Sequence, residues 1–146
     1  MKSTRPVLSL AAGAVLLLAT PLTATADDGG RPIAVEMTGA QEAPGPGDPD
    51  GSGTATFALN VGQGEICYTL AVADIAPATA AHIHLAPVGV PGPVVVPLVP
   101  PTSGSSAGCA DVDRALVKAI LKSPEDYYVN VHNNDFQPGA VRGQLG

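Results

Sequence analysis

Short stretches of two-residue alternation, each cut off by glycine or proline, run through most of this chain and point to a sheet protein. The 17 glycines and 15 prolines supply the breaks. Strands are predicted at 33–37, 54–60, 65–72, 81–86, 94–96, 127–133 and 140–145. In the second, Ala55, Phe57 and Leu59 share a face, and Gly62-Gln63-Gly64 turns the chain back into the third as a hairpin. Residues 43–53 and 99–108, rich in Gly, Pro and Ser, are expected to be loops. One helix is predicted near 112–122, where Val112, Leu116, Ala119 and Ile120 recur at helical spacing and Ser123-Pro124 ends the run. The expected fold is therefore all-β: an antiparallel sandwich or barrel, immunoglobulin-like or superoxide-dismutase-like, with one short helix.

The first 26 residues carry a different signal. Lys2 and Arg5 precede an apolar run at 7–19 that is too short to span a bilayer, and Ala24-Thr25-Ala26 offers a small-residue cleavage site. This reads as a secretory signal peptide, with no membrane attachment after cleavage. About 120 residues follow, enough for one domain with its own core. The whole chain has net charge −6, and losing Lys2 and Arg5 makes it more acidic. Such a chain repels nucleic acid and anionic membrane surfaces. Export to an oxidising compartment makes a disulfide the expected state of Cys67 and Cys109. Localisation is accordingly read as secreted or extracellular, and the protein as a monomer.

All three histidines lie in two of the predicted strands, Ala81-His82-Ile83-His84 and Val129-Asn130-Val131-His132. Alternation sends Ile83, Leu85, Val129 and Val131 inward and turns His82, His84, Asn130 and His132 to the other face. The last strand adds Arg142 and Gln144 to that face while Val141 and Leu145 point in. Side by side, the three strands would gather six polar groups. Histidines two apart on a strand have backbones about 7 Å apart, so with a third from a neighbour they suit Zn²⁺ or Cu²⁺. Against a metal stand the charge of Arg142 and the lack of an acidic residue in either strand to orient the rings. Two alternatives remain open: a hydrogen-bonded layer beneath a loop, with Arg142 paired to Glu36 or Asp135, and a binding surface for an extracellular protein or cell-surface ligand.

Catalysis has little to rest on. Ser103, Ser105 and Ser106 fall in an expected loop with no nucleophile elbow, and no carboxylate pair takes a recognisable acid–base position. Asp48-Pro49-Asp50-Gly51-Ser52-Gly53 lacks the ligand series and closing Glu of a calcium loop. These features argue against an enzyme.

Six motifs resemble the chordin-type CHRD domain, in order and spacing: Met37-Thr38-Gly39-Ala40-Gln41-Glu42-Ala43-Pro44, Gly53-Thr54-Ala55-Thr56-Phe57, Ala81-His82-Ile83-His84, Gly92-Pro93-Val94-Val95-Val96, Tyr128-Val129-Asn130-Val131-His132 and Pro138-Gly139-Ala140-Val141-Arg142-Gly143-Gln144-Leu145. The resemblance covers residues 33–146 and implies an extracellular β-sandwich-like module with no assigned catalytic activity. Its motif positions fall here on His82, His84, Asn130, His132, Gly139, Arg142, Gly143 and Gln144. Two positions depart from it: Leu85, where Gly commonly follows the His-x-His pair, and Ala140, where an acidic residue is common. The His-x-His strand is also similar to that of copper/zinc superoxide dismutases, whose chemistry needs more ligands than three histidines supply. The function these readings imply is that of a secreted binding or structural module without a required cofactor. The alternative is a Cu- or Zn-binding protein using His82, His84 and His132.

Overall fold

In the computed structural model the described residues are 30–146, so the expected signal peptide lies outside them. They form eight strands and one helix: β1 (Arg31–Thr38), β2 (Ser52–Asn60), β3 (Glu65–Ala73), β4 (Ala80–Leu85), β5 (Val94–Leu98), β6 (Ser105–Asp111), α1 (Arg114–Lys122), β7 (Tyr127–His132) and β8 (Val141–Gln144). All the paired strands are antiparallel, in the order β5-β4-β7-β8-β1-β2-β3-β6. The end strands approach each other: the Ser106 hydroxyl donates to the Val99 carbonyl (2.7 Å), and the Val99 N–H donates to the Tyr68 hydroxyl (2.8 Å). The sheet thus curls into a nearly closed barrel, as the all-β expectation required.

The inward faces are those that alternation picks out. Val35 and Met37, then Ala55, Phe57 and Leu59, then Ile83, Val129, Val131, Val141 and Leu145 are all buried. Helix α1 adds Val117 and Ile120 to this core, and its start is capped by Asp113, whose side chain accepts from Ala115 N–H (2.7 Å). The β2–β3 hairpin turns through Gly64 at φ +70°, a left-handed conformation that favours glycine.

Two expectations fail here. Leu85 is 43% exposed and outside the core. The β4–β5 register shifts after Ile83, and the chain leaves the sheet at Leu85, whose N–H bonds the Pro93 carbonyl. Residues 99–108 are also not one loop. Their second half opens β6, which pairs with β3 from Ala71↔Ser105 to Glu65↔Asp111.

That pairing sets Cys67 opposite Cys109, and the two are disulfide-bonded. The bond closes a span of 42 residues. Replacing both cysteines by serine is expected to lower stability by up to about 4 kcal/mol, the chain-entropy value for such a loop. Urea unfolding of the double variant would measure it, and a loss under about 1 kcal/mol would show that β3–β6 pairing holds the span without the crosslink.

Candidate functional site

Strands β4, β7 and β8 lie side by side, and their register builds the site. His82 stands opposite Asn130, which stands opposite Arg142. One step along, His84, Tyr128 and Gln144 form a second row, and His132 lies across from Ala80. All six polar residues expected on this face are therefore brought together.

The face is not open to solvent. Arg142 and Asn130 are each 1% exposed and His84 7%. The connection 86–93 covers one half and is tied down by the sheet's own side chains. Arg142 donates to the carbonyls of Val90 (3.0 Å) and Pro87 (2.9 Å), and Gln144 donates to that of Ala86 (2.8 Å). The Tyr128 hydroxyl accepts from Gly92 N–H (3.2 Å), and the Gly92 carbonyl faces His84 Nδ1 at 2.9 Å. A side chain at Gly92 would collide with the Leu85 carbonyl, so this close return needs glycine. Arg142 therefore bonds neither Glu36 nor Asp135; carbonyls of the covering loop replace the expected carboxylates. Its guanidinium also lies 3.4 Å over the Tyr128 ring centroid.

The three imidazoles converge. One ring nitrogen from each of His82, His84 and His132 lies within 4.8 Å of the other two. His82 Nδ1 and His132 Nε2 are 3.1 Å apart. Bonds of about 2.0–2.1 Å to one tetrahedral ion require ligand atoms about 3–3.5 Å apart, so this pair, which shares a hydrogen bond, is also at ligand spacing. The other nitrogens orient the rings. His132 Nδ1 donates to the Gln137 carbonyl (2.9 Å) and His84 Nδ1 to the Gly92 carbonyl (2.9 Å), which leaves both Nε2 atoms as lone-pair donors. Backbone carbonyls thus do the orienting work for which the strands supply no carboxylate. His84 Nε2 is buried and has no hydrogen-bond partner among the described residues.

For His82 and His132, electrostatics favour the neutral ring. Burial, then the neighbouring His132 and His84, push His82 down to about 4. Burial also lowers His132, against the opposing pull of its bond to the Gln137 carbonyl. Neutral imidazole is the form that binds metal.

Two members of the site were not anticipated. Tyr128 falls on the polar face by the same alternation that places Asn130, but an aromatic between Tyr127 and Val129 reads as core. Its ring stacks on His84 at 4.6 Å between centroids and 7° between planes. Glu42, in the segment after β1, lies in the first of the six motifs but no strand pattern ties it to the polar face; it is 8% exposed beneath Gly139, where a side chain would strike its carboxyl group.

Glu42 Oε1 and Asn130 Oδ1 are both buried without a hydrogen-bond partner among the described residues. A proton on Glu42 would turn one of two acceptors into a donor. Burial raises the Glu42 carboxyl from 4.5 to about 7, overcoming the Ala43 backbone bond and the charge of Arg142. A raised carboxyl pKa means the folded state holds the proton more tightly. Stability is then undiminished below about 4.5, falls as pH rises toward 7, and levels off above it. Glu42→Gln is expected to add up to about 3 kcal/mol at pH 8 and almost nothing at pH 4. Denaturant curves at the two pH values test this; an equal effect at both would contradict it.

No curated protein and no solved structure matches the chain. The CHRD domain profile matches residues 33–145, which take in all of the eight strands but the first two residues of β1, with the disulfide and the whole polar face, and this chain belongs to the CHRD domain family.

Proposed function

We propose that this protein is an extracellular binding module whose site is a three-histidine centre for a transition-metal ion, held by His82, His84 and His132. The observation that carries this reading is the convergence of three ring nitrogens within 4.8 Å, two of the rings being oriented by backbone carbonyls. The unpartnered, buried Nε2 of His84 supports it, because a cation is what such a lone pair lacks. Arg142 is held on the β8 side of Tyr128 by the 86–93 carbonyls, so an aromatic ring stands between its guanidinium and His84 and tempers its repulsion of a bound ion without removing it. A bound ion would cross-link β4 and β7 and add to the stability of the fold.

The extracellular part of the reading is supported by the family and the disulfide. Among the described residues no helix is long and apolar enough to cross a membrane. A second reading, docking of an extracellular protein or cell-surface ligand, draws on the exposed Leu85, Val88, Val90 and Val94 on and beside the covering loop.

Calorimetric titration of the EDTA-treated protein with Zn²⁺ and with Cu²⁺ tests the metal centre. Binding of one ion per chain, at micromolar Kd or tighter, is expected. Absence of both heat and a rise in Tm with either ion, and with Cu(I) under anaerobic conditions, would overturn the reading.

A further inference from the structure

A coordinated imidazole is a neutral ligand, so three of them leave a bound ion with its full charge. No carboxylate or thiolate shares the histidine cluster among the described residues. The fixed charge that shares this face, across Asn130 from His82, is of the wrong sign. Tyr128 stands on the strand between those of His84 and Arg142, stacked on the imidazole and lying under the guanidinium. Arg142 cannot swing away, because its nitrogens are bonded to the Pro87 and Val90 carbonyls and to Gln144 Oε1, and it is 1% exposed. Glu42 offsets that charge only in part, since burial leaves its carboxyl about half protonated near neutral pH. The repulsion from a fixed cation scales with the charge of the ion, so a dication is disfavoured twice as strongly as a monocation.

Coordination number points the same way. Three nitrogen donors from two adjacent strands complete a trigonal shell, which a d¹⁰ monovalent ion accepts. Zn²⁺ in a three-histidine site needs a water as its fourth ligand, and Cu²⁺ prefers a tetragonal set. Among biological metals, copper alone combines strong affinity for imidazole with a stable monovalent state.

Taking the histidine cluster to be a metal centre, we propose that the site takes copper and holds it more tightly as Cu(I) than as Cu(II), and more tightly than Zn(II), with Arg142 as the residue that sets the preference for single charge. The test is a set of competition titrations on the full chain: anaerobic Cu(I) against bicinchoninate, and Cu(II) and Zn(II) against nitrilotriacetate. The expected Kd for Cu(I) is at least tenfold below those for the two dications. Arg142→Met is expected to narrow that gap, and Arg142→Lys, which keeps the charge, to preserve it. Equal or tighter binding of either dication by the parent protein overturns the preference and leaves the metal centre standing. Failure of all three ions to bind overturns both. Should Arg142→Met not fold, the comparison of the three ions on the parent protein decides the matter alone.

Discussion

Replacing His82 by alanine is expected to weaken Zn²⁺ and Cu²⁺ binding at least 100-fold while moving the unfolding midpoint little. Loss of an outer-shell partner alone costs about 10–100-fold in metal affinity, and a lost ligand costs more. His82 is the informative choice because it is only half-buried and, among the described residues, its ring hydrogen-bonds only to His132. His84→Ala should lose as much affinity, but it also removes a buried ring stacked on Tyr128 and bonded to Gly92, so its stability will fall as well. The two variants together separate ligation from folding. Parent-like affinity in His82→Ala would place the ion elsewhere.

The second large effect is expected at Arg142. Arg142→Met keeps most of the apolar stem but leaves the Pro87 and Val90 carbonyls without their donors and removes the cation from the Tyr128 ring. Charged hydrogen bonds of this kind are worth about 1.5–3 kcal/mol each, offset in part by the cost of burying the guanidinium. A net loss of about 3–5 kcal/mol is expected in urea unfolding. A loss under about 1 kcal/mol would mean that the Gln144–Ala86 and Tyr128–Gly92 bonds hold the 86–93 connection by themselves.

Both effects involve residues that alternation alone placed on one face. That reasoning succeeded because Val129, Val131 and Ile83 leave the sheet only one way to bury its apolar side. It failed at Leu85, where the register shift after Ile83 ends the alternation. It missed the strand Ser105–Asp111, whose Ser, Ala and Gly side chains carry no hydrophobic period and whose structure comes from pairing with β3. It also left open whether the polar face was bare or lay beneath a loop. A strand pattern tells which face a residue occupies but not what covers it, and here the 86–93 connection covers Arg142 and supplies the carbonyl that orients His84. Glu42 was out of reach for the same reason, since its neighbours Asn130 and Gly139 are about 90 residues away in the chain.

The most direct measurement is anomalous diffraction at the metal edge from crystals of the loaded protein. One peak is expected about 2.0–2.1 Å from a ring nitrogen of each of His82, His84 and His132. A peak at any other place, or none in protein that has been offered the ion, would contradict the three-histidine centre.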